Sequence, residues 1–289
     1  MKIVTAFLCL VAASWGQNAS RPVALASNTP PRSGTLLREL LHINVERGST
    51  RIEAASGNRQ MSTRWMHRYN LVRRLQGGGA EEVEVREHGC AAGNFPGTTP
   101  PPAGEARGPL SSKTLRARRR SSGLEYVMKD TKATAPEQSC LLDLGFASSL
   151  LEIIRVAIGT QPRKAGESWK PVIQNPRGNA YGLPILKDVE TNFGSVEERP
   201  DGPHAHLFIS GSFTMQRPMG FNAAIEVSFA VTLTRRLTDM LDVETKITGI
   251  FKNTYAAGYI ASQNAKPERA TFIQELPYVL TRTLKIEGK

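Results

Sequence analysis

The chain has 289 residues, of which 40% are hydrophobic, with 37 Lys and Arg against 26 Asp and Glu, a formal net charge of +11 and three cysteines. This apolar content excludes an intrinsically disordered class, and three cysteines exclude a small disulfide-built scaffold, while the length allows a substantial buried core. The positive balance permits contact with anionic surfaces without selecting one.

Met1-Lys2 is a short basic start, Ile3 to Ala13 is apolar, and Ser14-Trp15-Gly16 places small residues at −3 and −1. This order predicts a secretory signal peptide over 1–16, cut before Gln17, with Ala13 as an alternative end, and a secreted or periplasmic protein. No later run is long and apolar enough to cross a bilayer. Cleavage removes Cys9 and leaves Cys90 and Cys140, for which an oxidising compartment predicts a disulfide, the alternative being two unpaired thiols, Cys140 buried at a helix start and Cys90 in a loop. Closing that loop would stabilise the fold by about 4 kcal/mol in the chain-entropy model. With no C-x-x-C and no histidine read beside them, the two cysteines do not read as metal ligands, and no metal or cofactor is expected.

Residues 17–35 are polar and aperiodic and read as a disordered leader. From there Leu41, Ile43 and Val45 alternate, then Trp65, His67, Tyr69 and Leu71, then Val83 and Val85, as in half-buried antiparallel strands. Gly93 to Pro109 is rich in proline, which has no donor for a ladder, and predicts a long surface loop. Leu115 to Arg120 and Leu124 to Met128 form a hairpin around Ser121-Ser122-Gly123. Cys140 to Ile158 carries apolar residues at three- and four-residue spacing and predicts a largely buried helix ended by Gly159 and Pro162. Gly145 weakens that reading, and a short buried strand is the alternative. The clearest alternation follows: Ile225, Val227, Phe229, Val231 and Leu233, a turn at Arg235 to Asp239, then Leu241, Val243, Thr245 and Ile247. His206 to Thr214 and Tyr278 to Ile286 add flanking strands. The predicted fold is mainly β, with curved antiparallel sheets in two lobes, 36–139 and 166–289, joined by a connector helix and turn over 140–165.

Two short segments stand on either side of that helix: P-L-x-x-K at Pro109 to Lys113 and G-E-S-W at Gly166 to Trp169. In this the chain resembles a loose class of exported bacterial β-rich proteins that carry a P-L-x-G-K-like and a G-[DE]-[ST]-W segment around a connector helix. It departs from the pattern at Ser112, where glycine is usual. The resemblance implies the architecture and brings no active site.

Ser168 is the nearest approach to a nucleophile, but a nucleophile elbow needs G-x-S-x-G between a strand and a helix, and here Lys170 and Pro171 follow. Gly166 reads as a turn and Trp169 as a core plug. His204 and His206 share a strand face that could hold a metal if Glu197, Glu198 or Asp201 converged, but those acids read as a solvated loop. Asp242 and Glu244 read as the polar face of a strand, and Asp239 as part of the turn before it. No H-E-x-x-H, Walker loop or Rossmann fingerprint occurs. Arg116, Arg118 and Arg120 share one strand face and form a candidate site for anionic lipid or cell-wall polymer, or else a charged edge that resists pairing. Arg64, Arg68, Arg73 and Arg74 add charge without defining a site, and export removes nucleic acid as a partner. The sequence therefore predicts a non-catalytic exported protein with a binding or structural role. A hydrolase with no visible motif and a carrier of a lipid or apolar ligand in a curved sheet are the alternatives.

Overall fold

The structure, a computed structural model, describes residues 21–26, 33–55, 57–76, 80–96, 105–120, 123–171, 185–216, 224–260 and 268–287. The expected signal peptide, its cleavage point and the Ser121-Ser122 hairpin tip lie outside them. In chain order the elements are β1 (Leu36–Ala54), β2 (Arg59–Leu75), β3 (Ala80–Pro96), β4 (Ala106–Arg107), β5 (Lys113–Arg120), β6 (Gly123–Met128), α1 (Ala135–Ile158), β7 (Ser168–Trp169), β8 (Ile185–Arg199), β9 (Gly202–Gln216), β10 (Ala224–Arg236), β11 (Leu241–Ile260) and β12 (Glu268–Ile286).

All the strands belong to one unclosed antiparallel sheet, ordered β6-β5-β3-β2-β1-β12-β11-β10-β9-β8-β7, with β4 on β3. The two regions expected as lobes are joined edge to edge, because β1 pairs with β12 from Leu37↔Ile286 to Ala54↔Ala270. The alternation seen in sequence is the pleat itself: Val227, Phe229, Val231 and Leu233 are buried, while Glu226, Ser228, Ala230 and Thr232 are exposed.

One inward row can be followed strand by strand across the sheet. It runs Cys90, His67, Ile43, Leu280, Ile247, Val231, Ile209, Thr191 and Trp169, each residue the register partner of the next. The helix α1 lies along this row, with Cys140 near His67 at one end and Ala157 bonded to Thr191 and Trp169 at the other. At about 4.8 Å per strand the row from His67 to Trp169 is about 34 Å long, whereas Cys140 to Ala157 rises only about 25 Å along the helix. The sheet must therefore curve around α1. The helix turns Leu141, Leu144, Leu150, Ile153, Ile154 and Ile158 into the core, each such side chain contributing about 1.5–3 kcal/mol by leaving water.

Four local expectations change. The helix begins at Ala135 rather than Cys140, because Thr134-Ala135-Pro136-Glu137 is a start signal: the Glu137 carboxylate accepts from both the Thr134 amide and its hydroxyl at 2.8 Å. The ladder of β3 runs into the proline-rich segment, with Asn94 and Phe95 opposite Thr63 and Ser62, and stops at Pro96. The leader is not disordered throughout. Val23 exchanges backbone bonds with Arg163 at 2.7 and 2.9 Å, and Leu25 is fully buried, its carbonyl accepting from Arg235. Glu197 and Glu198 belong to β8, opposite His204 and Pro203, rather than to a loop.

Candidate functional site

The two short segments that flank α1 in sequence hold its two ends in space. At the first, Lys113 lies 3.2 Å from Glu137, the residue that caps the helix. Gly108, Leu110 and Ser111 wrap His88. The Gly108 amide donates to the His88 carbonyl at 2.6 Å, Ser111 Oγ accepts from the His88 amide and donates to its carbonyl, both at 3.0 Å, and the Leu110 amide donates to His88 Nδ1 at 3.3 Å. A Cβ on Gly108 would lie 2.1 Å from His88 Nδ1, so a larger residue cannot stand there without moving the ring. At the second, Gly166 has φ 84°, Trp169 is buried, and its indole N–H donates to the Ala157 carbonyl at 3.1 Å, a group near the end of α1 with no later turn to pair with.

Under the first turns of α1 lies a buried polar cluster. Cys140 and Asp143 are one helical turn apart and point at the sheet, where His67 and His88 sit on neighbouring strands. The ligand atoms of His67, His88 and Cys140 are all within 4.8 Å of one another. Direction can be assigned to the hydrogen bonds, because the Leu110 amide can only donate. His88 Nδ1 therefore accepts, His88 Nε2–H donates to His67 Nδ1 at 3.0 Å, and His67 Nε2–H faces Asp143 Oδ2 at 3.3 Å. Tyr69 stacks on His88 with ring centroids 4.4 Å apart and on His67 at 5.8 Å.

Burial sets the electrostatics of this cluster. It holds both histidines down to about 4, the neighbouring His88 adding to the effect at His67, and it pushes Asp143 up to about 7 against a hydrogen bond from Trp65. The His67–Asp143 contact at neutral pH is thus a hydrogen bond from an uncharged imidazole rather than an ion pair. Burial, with Asp143 and Cys90 nearby, pushes the Cys140 thiol up to about 12. A thiol so far from ionisation is a poor nucleophile.

A second cluster is ionic. Glu39, fully buried, accepts from Arg73 and from Arg282, the latter at 2.6 Å, and Arg73 also reaches Glu81 at 2.9 Å and the Tyr126 hydroxyl at 2.8 Å. Burial alone would raise Glu39, but the two guanidinium groups hold it down to about 2. Every member has a partner, which makes this a structural tie between β1, β2, β3, β6 and β12 rather than a free charge.

The remaining feature of the concave face is apolar. Phe251 and Leu276, register partners, point inward beside α1 yet are only half-buried, as are Phe146 of the helix, Trp65 and Leu186. Phe146 meets Phe251 and Tyr278 edge-on at 5.9 and 6.2 Å. Further along the same face the directly paired Ile52 and Phe272, and Met61, are also half-buried.

The other sequence candidates do not converge. Ser168 is exposed and accepts from the Asn192 amide at 2.9 Å, a group that cannot serve as a base. His204 is buried against its own turn through the Gly202 carbonyl at 2.8 Å, and His206 contacts Glu197 at 3.0 Å and Thr234 at 3.4 Å. Asp242 is tied to the buried Arg235 at 2.5 Å instead of lying free on a polar face, and Asp239 pairs with Arg236. Arg116 and Arg118 are exposed on β5, which is not the edge strand; β6 covers it, and the register sets Glu82 opposite Arg116 and Glu125 opposite Arg118. Arg120 ends the same strand, opposite Gly123. Cys90 and Cys140, expected to be bridged, are free thiols. The histidines that accompany them had a visible signal: His88 stands two residues before Cys90, on the same strand face.

No family model matches this chain, and no curated protein matches it in sequence. A solved structure titled "Lipid-protein interactions in lipovitellin" superposes with a TM-score of 0.42 at 6% identity, over 88% of this chain and 25% of that one. The chain thus spans about a quarter of that protein's length, and a superposition this loose transfers neither site nor ligand.

Proposed function

We propose that the protein is a non-catalytic exported binding protein that takes an apolar chain, of the kind found in lipids, onto the concave face of its sheet. One observation supports this reading: Phe251, Leu276, Trp65 and Leu186 on the inner face of an unclosed sheet, and Phe146 of the helix facing it, pack against the core yet are only partly buried. A packed core has no reason to leave so many large apolar groups unsealed. The size of the face agrees. From β3 to β8 it measures about 34 Å across and about 45 Å along the strands, whereas the helix shades a band about 36 Å by 10 Å. The export half of the reading rests on the basic and apolar N-terminal residues, Met1 to Gly16.

The test is binding of a naphthylamine fluorophore, whose emission rises in apolar surroundings, followed by its displacement with a lysophospholipid. Saturable, displaceable binding that falls at least tenfold in Phe251→Ser or Leu276→Ser, and not in Phe208→Ser on the outer face, is the expected result. Folded protein that takes up no fluorophore, or equal loss in all three variants, refutes the proposal.

A further inference from the structure

We infer that His67, His88 and Cys140 form a binding site for a borderline-soft transition-metal ion of the zinc class. Two imidazoles and a thiol are the donor set that zinc prefers, whereas magnesium and calcium need oxygen donors that this cluster does not supply. The three donors converge within 4.8 Å from three separate elements, β2, β3 and α1. The geometry needs little adjustment. His67 Nδ1 and His88 Nε2 are 3.0 Å apart, and two nitrogens on one tetrahedral ion at 2.0–2.1 Å stand about 3.3 Å apart.

The surroundings match those of a metal-ligating histidine. With His67 bound through Nδ1, its Nε2–H keeps the Asp143 carboxyl, the carboxylate–histidine–metal arrangement that fixes tautomer and ring orientation. A second observation points to a guest in the same place. Tyr69 is fully buried beside Cys140, Asp143 and Cys90, and its hydroxyl has no hydrogen-bond partner among the described residues. A bound ion, with any water it carries, gives that hydroxyl something to address.

Loading releases one proton. The Cys140 thiol releases its proton to solvent and binds as thiolate, and the His88 proton moves from Nε2 to Nδ1, giving up the long 3.3 Å bond from Leu110. Cys90, the register partner of His67 on the adjoining strand, is the nearest further thiol for the fourth position.

The full mature chain, stripped of metal and kept reduced with a phosphine, is titrated with cobalt(II) as the optical surrogate for zinc. The expected result is one cobalt per chain with a thiolate-to-metal band in the near ultraviolet, displaced by zinc. Cys140→Ser should lose the band, Asp143→Asn should weaken binding about 10–100-fold while keeping it, and His206→Gln should change nothing. Cys90→Ser reports on the fourth position by the band's intensity alone. Far-ultraviolet circular dichroism shows that each variant is folded, and His88→Gln replaces Cys140→Ser if the latter is not. Folded wild type without the band, a band that survives loss of either ligand, or a Cys90–Cys140 bridge in the unreduced protein as isolated overturns the site.

Discussion

Trp169 donates its indole N–H to the carbonyl oxygen of Ala157 at 3.1 Å, and the Arg163 guanidinium lies over the ring at 4.7 Å from its centroid. The short G-E-S-W segment thereby becomes a latch on the last turn of α1. Trp169→Ala should cost about 3–5 kcal/mol in urea denaturation, and Trp169→Phe about 1–2, because Thr191 still satisfies the same carbonyl. Ser168→Ala should stay within about 0.5 kcal/mol and leave fluorophore binding unchanged. A large effect at Ser168 with a small one at Trp169 would reverse the assignment.

Ser112 has φ 62°, in the left-handed region that side chains avoid. A residue with a Cβ therefore carries a physical cost at this position that glycine would not. Relief of roughly 1–2 kcal/mol of steric strain, set against glycine's greater freedom when unfolded, should make Ser112→Gly more stable by about 0.5–1 kcal/mol. Ser112→Val should be destabilised. Urea midpoints at constant slope decide the matter.

Stability of the metal-free protein should rise with pH between about 4 and 6.5. In that window the unfolded chain is protonated at both His67 and His88 while the folded chain is not. Asp143 does the opposite, holding a proton when folded up to about 7 and losing it near 3.8 when unfolded. The unfolded state thus binds one net proton more, a slope of about 1.4 kcal/mol per pH unit. Asp143→Asn removes the opposing group and should steepen the slope toward twice that value. Below the window Glu39 takes over: its stabilising charge is fully present above about 4.5 and is lost as pH falls toward 2. Denaturation followed across pH 2–7 checks both limbs, and a flat profile contradicts them.

Binding to anionic vesicles should not depend specially on Arg116, Arg118 and Arg120. Glu82 and Glu125 face the first two across the ladder, and exposed charges are screened over about 8 Å at physiological salt. Replacing all three by Gln should lose no more binding than replacing Lys252, Lys266 and Arg269. A selective loss at the first set, steep in salt, would restore the stripe as an anion site.

What could be read in the sequence was whatever a single strand or helix carries within itself. The alternation through Ile225 to Leu233 and Leu241 to Ile247, the hairpin at Leu115 to Met128 and the stop at Gly159 all depend on neighbours a few residues away. The fusion of the two regions did not show, because the pairing of Leu37 with Ile286 leaves no local trace. The polar cluster was hidden for the same reason: His67, His88 and Cys140 come from three elements, and none is unusual alone. Part of it does leave a local trace. His88 and Cys90 are two residues apart on one face, and T-A-P-E at Thr134 announces the helix that brings Cys140 over them.

The seam between β1 and β12 bears on how the molecule comes into being. The strand synthesised last of the twelve lies in the middle of the sheet, flanked on one side by the first and on the other by β11. Until it emerges, each half exposes a long unpaired edge at the place where the other belongs, and pairing across most of the chain is slow to establish. Vectorial synthesis therefore cannot complete the sheet early. If the chain is exported as proposed, a late-closing seam keeps the polypeptide threadable for as long as translocation lasts. The same delay leaves two open edges for a chaperone, or for a second nascent copy, to find first.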